Sequence, residues 1–433
     1  MWIPPKICRV RCALWILVGA LVFILVLTPG EALSLNVHGF VDLRSGMRLQ
    51  DDPSQRDAIL NEARAQIDVT HYGPVALWKL RADAVWDEAA GEYEQDFERG
   101  YGILDLREAN VLVTPLDFMD VKIGRQILTW GTGDLLFIND MFPKDWQSFF
   151  SGRDEEYLKA PSDAVFASMF FSWANVDVAY MPGFEHDRYI SGERISYYNP
   201  MLGRRAGADD PLQVEQRRSW FAEDEVSVRL SRNIGSYEVA AYAYVGYWKN
   251  PVGFDVGSGR QTFPRLRTYG ASVRGNAGPG LFHVEVGYYD SFEDRAGDDP
   301  LVPNSECRVL LGYEQELRRN LSAALQYYLE YMQDFSAYER SLPATQPQRD
   351  QDRHVLTLRL TQLAMNQNLT LSLFTYWSPS DADAYLRPLV EYKPTDELKL
   401  FVGANIFSGR DEHTFFGQFE DNTNVYAGVR YSY

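Results

Sequence analysis

The stretch KIGRQILTWGTGD, residues 122–134, ends in a glycine-rich run of the kind that can wrap an anion. A phosphate loop aims successive backbone N–H groups at the anion and adds a Lys followed by Ser or Thr. Here GTGDLL lacks the third glycine of G-x-G-x-x-G, and no Lys-Ser/Thr pair follows. Other chemistries are no better served. The six histidines, His38, His71, His186, His283, His354 and His413, are scattered, with no H-E-x-x-H and no G-x-S-x-G. A hydrolase would have to assemble its site from distant segments, with His186 and His413, which lie in acidic stretches, as candidate members. The runs at 86–98, 293–299 and 409–421 are rich in carboxylates, which are hard oxygen ligands, but none has the spaced acidic pattern of a calcium loop. The chain therefore reads as a non-enzyme, with no cofactor and no metal.

The elements that must position any site are set first by the compartment. Lys6, Arg9 and Arg11 precede an uninterrupted apolar run at 13–27, and Gly30 and Ala32 supply small residues at −3 and −1 of a cut after Ala32. That is the pattern of a secretory signal peptide at 1–32, too short for the ~20 residues of a spanning helix. The remaining 33–433 keeps one cysteine, Cys307, so no internal disulfide can form. A formal net charge of −18 argues against a nucleic-acid partner.

Beyond residue 33 the recurrent pattern has period two. Leu321, Ala323, Leu325, Tyr327, Leu329 and Tyr331 alternate with residues that include Ser322, Gln326 and Glu330. Leu356, Leu358 and Leu360 alternate with Thr357, Arg359 and Thr361. About eighteen such runs begin near residues 35, 62, 74, 102, 117, 162, 174, 221, 235, 265, 279, 305, 319, 352, 367, 383, 397 and 423. Tight turns such as Gly73-Pro74 and Ala277-Gly278-Pro279 follow every second run. The other connections are mostly long, and those at 130–161 and 183–220 have room for further strands. Short turns on one side, long loops on the other, and aromatics near the run ends predict an all-β antiparallel transmembrane barrel of 16–18 strands. Both termini are expected on the periplasmic side of the outer membrane of a Gram-negative bacterium. Only one face of each strand must be apolar, so an acidic chain can still live in lipid. Outer-membrane lipid and lipopolysaccharide are then its surroundings, and the strand ending at Tyr433 resembles the signal read by the barrel assembly machinery.

With the apolar face toward lipid, the opposite face gathers charge of both signs. Arg44, Arg81, Lys122, Arg125, Arg229, Arg274, Arg359, Arg387, Glu314 and Glu330 are the candidate pore-lining groups. A wall of opposed charges orients polar solutes without trapping them; the same charges could simply brace neighbouring strands. Gly124 interrupts its strand, and a bulge there would swing Arg125 from lipid to lumen. The aromatic and charged connection at 130–161 is expected to fold into the barrel and narrow it, with Asp134, Asp140, Lys144, Asp145 and Trp146 as the constriction.

Residues 106–137, LREANVLVTPLDFMDVKIGRQILTWGTGDLLF, resemble a segment of alginate-export-like outer-membrane porins and of a related family of barrels associated with lipid- or hydrophobe-exporting efflux systems. In those families an L-R-E-A-Y-V-like strand leads through a hairpin to a G-R-Q strand ending in an aromatic-Gly pair; here Asn110 replaces the Tyr. The resemblance implies a porin-like channel for a small polar or amphiphilic solute, either passive or docked to a periplasmic or inner-membrane exporter. The alternatives are a structural or partner-enclosing barrel and an outer-membrane hydrolase.

Overall fold

In the computed structural model, which describes residues 35–91, 94–344 and 346–433, eighteen strands form one antiparallel sheet that closes on itself. They are β1 (Leu35–Arg48), β2 (Ala58–Tyr72), β3 (Ala76–Asp87), β4 (Leu104–Leu116), β5 (Met119–Gln126), β6 (Ser162–Phe170), β7 (Asn175–Met181), β8 (Glu225–Ile234), β9 (Tyr237–Tyr247), β10 (Arg265–Ala277), β11 (Gly280–Asp290), β12 (Glu306–Arg318), β13 (Leu321–Met332), β14 (Asp352–Ala364), β15 (Leu369–Ser378), β16 (Asp383–Tyr392), β17 (Leu398–Gly409) and β18 (Asn424–Ser432). Each pairs with its neighbours in sequence. The seam is β1 on β18, from Phe40 opposite Ser432 to Arg48 opposite Asn424. Closure leaves no unpaired edge, the condition for strands to cross hydrocarbon.

The strand number matches the number of alternating runs, and the largest displacements are Ala58 against an expected 62 and Glu225 against 221. An even number brings first and last strand to the same rim, where the N–H groups of Gly39 and Tyr433 each donate to the other's carbonyl at 3.1 and 3.0 Å. The tight turns lie on that rim. Gly235 and Gly278 take φ of +61° and +59° there, the left-handed geometry that matches a hairpin turn to strand twist. The long connections lie on the other rim. The one at 182–224 holds a small hairpin, Tyr197–Asn199 on Arg204–Ala206, and 248–264 holds another, Gly253–Asp255 on Arg260–Thr262. Neither joins the barrel sheet. The expected signal peptide at 1–32 lies outside the described residues.

Strand β1 shows how sequence becomes wall. Asp42, Arg44 and Arg48 are buried, while Val41, Leu43 and Met47 between them are about half exposed at 45, 50 and 56%. A pleated strand sends alternate side chains to opposite faces, so one face meets the interior and the other is an apolar surface. The interior has its own apolar core. Leu135, Ile138, Phe149 and Phe150 from the connection 127–161 pack with Tyr289, Tyr328, Tyr376, Tyr385 and Phe407 from the strands.

One expectation fails at Gly124. The register runs unshifted through it on both sides, Asn110 opposite Gly124 and Gly124 opposite Ala164, so no bulge forms. Gly124 is required for a different reason: its φ is +119°, and a Cβ would collide with the Ala109 carbonyl oxygen. Arg125 therefore keeps the parity of Ile123. Its guanidinium is 6% exposed, covered by the carbonyls of Phe97 and Leu106 at 2.7 Å each and by Asp163 at 3.2 Å.

Candidate functional site

Strands β5, β6 and β7 are the short part of the wall, with 8, 9 and 7 residues. Between β5 and β6 the chain leaves the wall for residues 127–161 and contacts strands on every side of the barrel. Local sequence shapes this segment. Asp145 accepts from the Ser148 N–H at 2.7 Å and caps helix α1 (Trp146–Ser151). Gly152 stops the helix at φ +92°, where a Cβ would meet the Tyr426 ring. Asp154 then caps a 3-10 turn, Glu155–Leu158.

The front of the segment is held by a wall carboxylate. Glu285 on β11 is fully buried. It accepts from the backbone N–H of Thr132, from that of Gly133 at 3.0 Å and from the Asn139 side-chain amide at 3.0 Å. Beside it, Gln326 on β13 exchanges two hydrogen bonds with the Asp134 backbone at 2.8 and 2.9 Å. Tyr376 and Tyr289 donate to the carbonyls of Leu135 and Ile138 at 2.7 and 2.5 Å. The glycine-rich run thus does cradle an anion, and the anion is the chain's own.

The middle is aromatic. Phe150 lies 5.5 Å from Tyr385, 5.3 Å from Phe407 and 5.0 Å from Phe419, centroid to centroid, spacings at which aromatic pairs attract beyond simple burial. Asn405 and Asn424 donate to the Phe150 carbonyl at 3.1 and 3.2 Å.

The rear reverses the polarity of the front. Arg153 pairs with Glu62 at 2.6 Å. Asp154 faces Lys399 at 3.0 Å, Arg430 at 3.5 Å and Arg44 at 3.7 Å. Burial alone would raise its pKa, but Lys399, Arg430 and Arg44 outweigh it and hold the carboxyl well below the usual range. Glu155 meets Arg387 at 3.0 Å and Arg359 at 3.2 Å, and Glu156 meets Arg430 at 2.9 Å. The Tyr157 ring sits between Arg64 and Arg107 at 4.3 and 4.8 Å, and its hydroxyl donates to Asp83 at 2.7 Å.

The charges singled out from sequence divide into three sets. Arg44, Arg359 and Arg387 contact the segment. Arg81 with Asp68 at 2.6 Å, Arg229 with Asp177 and Glu238 at 3.3 and 2.6 Å, Arg274 with Glu238 at 2.9 Å, and Glu330 with Arg308 and Arg353 at 3.7 and 3.5 Å form braces along the wall. Lys122 and Glu314 lie on β5 and β12 with no ion pair among the described residues; Glu314 is exposed. Of the segment's own candidates, Asp134 reaches the wall, through Arg359 at 2.6 Å. Asp140 and Lys144 pair with each other at 3.1 Å. Asp145 pairs with Arg188 at 3.2 Å, and Trp146 donates to Asp187 at 2.8 Å. These four shape the segment rather than anchor it. The anchors at 153–157 were not singled out from sequence, although the run RDEEY facing a wall with Arg and Lys at alternate positions carries the signal.

On the long-loop side of the segment lies a cavity of about 980 Å³, floored by residues such as Phe137 and Trp146 and walled by Trp248, Tyr328, Tyr376 and Phe415. Of the two rim histidines, His186 is buried between Phe184 and Phe263, and burial pushes its pKa down to about 4. Its Nδ1 lies 2.7 Å from the Asp187 carbonyl. His413 is exposed, 6.1 Å from the Tyr198 ring.

No protein-family model matches this chain, and no curated protein matches it. Solved structures do. Acinetobacter baumannii OccAB3 superposes with a TM-score of 0.54 at 10% identity, over 92% of this chain and 99% of that one. A. baumannii OccAB1 gives 0.54 at 8% identity, over 94% and 98%. Pseudomonas aeruginosa OccD3 (OpdP) gives 0.53 at 10% identity, over 94% and 92%. At such identities what is shared is the fold: the closed eighteen-strand antiparallel barrel of Gram-negative outer-membrane porins.

Proposed function

We propose that the chain is an outer-membrane channel for small solutes whose passage is narrowed by residues 127–161. The observation that carries this reading is a closed barrel whose interior is crossed by one segment tied to opposite sides of the wall. The apolar outer face of strands such as β1 supports placement in lipid, with lipopolysaccharide around the long loops and both termini in the periplasm. The crossing is polar at both ends, and a water-filled route can run along such a surface where a dry aromatic plug would exclude one. The charged braces on β3, β8 and β10 then line the route below the crossing, while the brace on β13 lines the cavity above it.

The test is single-channel conductance in planar bilayers. Shortening residues 134–158 to a brief glycine-serine link should raise conductance severalfold. An unchanged conductance would remove the segment from the pathway and overturn the constriction.

The resemblance of residues 106–137 to alginate-export-like porins and hydrophobe-associated barrels adds a finer reading, in which this channel serves an exporter on the periplasmic side. The G-R-Q motif then marks the point where the segment leaves the wall. Tyr433, at the β1–β18 seam, is the residue through which the assembly machinery would take hold. Co-purification of a periplasmic or inner-membrane partner with the tagged full chain checks the first idea, and the folded yield of a chain lacking Tyr433 checks the second.

A further inference from the structure

We infer that the cavity above the crossing segment is a binding site for an organic cation with an aromatic or apolar body. As a statement about the transported solute this rests on the channel reading; as a statement about binding it does not. The first ground is shape and surface. A space of about 980 Å³ is ample for a drug-sized molecule, and its floor and one side present Phe137, Trp146, Tyr338 and Phe415, each partly or fully exposed. Small inorganic ions gain little from such rings, whereas flat or branched apolar bodies gain area burial and stacking.

The second ground is which charges are already paired. Each cation on the lining is in an ion pair: Lys144 with Asp140 at 3.1 Å, Lys249 with Glu225 at 2.6 Å, Arg308 with Glu306 at 2.7 Å, Arg353 with Asp381 at 2.6 Å and Arg349 with Glu306 at 3.6 Å. An entering anion therefore finds each lining cation engaged. Asp350 and Asp411, also on the lining, are exposed and make no ion pair among the described residues. An entering cation finds both.

The third ground is that the ring faces already favour positive charge. The Phe137 ring takes Lys144 at 4.6 Å, and the Phe415 ring takes Arg353 at 4.7 Å. Such rings attract ammonium groups through their negative faces. The field outside agrees, because the chain carries a net −18 and the loop at 409–421 that bears Asp411 and Phe415 is acidic. That field concentrates cations at this rim at low salt.

The experiment is a calorimetric titration of the full chain in nanodiscs of zwitterionic lipid, with empty discs subtracted. The probes are (naphthylmethyl)trimethylammonium and naphthylacetate, which share one ring and differ in the sign of the head group. The expected result is saturable binding of the ammonium, about tenfold tighter than the carboxylate, weakening as salt rises. Asp350→Asn combined with Asp411→Asn, both on exposed loops, should shrink the preference to about threefold or less. Phe137→Ala should weaken both probes alike. Equal or tighter binding of the carboxylate, no binding of either probe, or a preference untouched by the double variant would each overturn the proposal. Conductance separates the two readings: ammonium binding to a barrel that never conducts removes the channel and keeps the site, and conduction without binding does the reverse.

Discussion

The two ends of the crossing segment are fastened mainly by opposite means, with Arg359 reaching both Asp134 and Glu155 and Arg153 meeting Glu62 of the wall. At the front the wall supplies the anion, Glu285, and the segment supplies backbone N–H groups from Thr132 and Gly133. At the rear the wall supplies Arg44, Arg359, Arg387, Lys399 and Arg430, and the segment supplies Asp154, Glu155 and Glu156. Backbone donors have fixed directions, so the front attachment works in one local conformation and leaves buried groups stranded if it is lost. Side-chain ion pairs are longer-reaching and shared among several partners, and Glu155 and Glu156 are about 41 and 46% exposed, where solvent screens them. The front should behave as a geometric lock and the rear as a distributed, salt-sensitive clamp.

Breaking the lock should have the larger effect. Glu285→Ala removes the acceptor from at least three donors in a fully buried place, and buried donors left unpaired cost about 1–3 kcal/mol each. The variant is expected to release residues 130–139, seen as new protease cleavage there and as noisy, higher conductance. A silent Glu285→Ala would mean that the remaining contacts, among them Gln326, Tyr376 and the Phe149–Phe150 cluster, seat the segment without it. The clamp should yield less. Asp154→Asn with Glu155→Gln should cost about 1–2 kcal/mol of seating after allowing for the exposure of Glu155. Its effect should shrink when the wild type is measured in high salt, because the same attraction is then already screened. If the double variant matches Glu285→Ala in protease sensitivity, the two ends are equivalent and the comparison fails.

Much of this architecture was legible because lipid forces period two onto a strand. Val41, Leu43 and Met47 alternate with Asp42, Arg44 and Arg48 in the sequence just as they do between the faces of β1. The same rule gave the eighteen starts and the side of each connection. What it could not give is anything determined by contacts between remote segments. Gly124 looked like a bulge because a glycine in a strand lacks a packing role on sequence grounds; the actual reason, its positive φ against the Ala109 carbonyl, needs the paired strand. GTGD was legible as a run that can wrap an anion, but the anion it holds, Glu285, lies about 150 residues further along the chain. The acids at 154–156 lay in the stretch expected to fold inward but were not singled out, because only the closed wall brings Arg387, Lys399 and Arg430 around them. Asp140, Lys144 and Asp145 were singled out for their charge, and they turn out to satisfy one another and Arg188 within the loops.

The smallest effect concerns a carboxyl outside both attachments and refines what the lock requires. Glu185, in the long connection after β7, is pushed up to about 8, chiefly by burial; Arg125 opposes the rise, and Asp163 and Glu98 add to it. It accepts from the Asp163 N–H at 2.8 Å, while its own N–H donates to Glu225 at 2.9 Å and its carbonyl receives Lys249 at 2.8 Å. A carboxyl whose pKa is raised on folding contributes stability that is complete below its ordinary value near 4.5 and is lost as pH rises through about 8. Protection factors of residues 182–190, with the base-catalysed rise of intrinsic exchange divided out, should therefore fall from pH 5 to pH 9. Glu185→Gln keeps the size of the neutral acid, so it should be nearly silent near pH 5 and should flatten the loss of protection toward pH 9. If the variant and the wild type loosen together above pH 8, another group is titrating and the docking of this loop does not depend on a neutral Glu185. If exchange at 130–139 rises in step with 182–190, the front lock and this loop open as one unit. Independent behaviour would confine the lock to Glu285 and its amide donors.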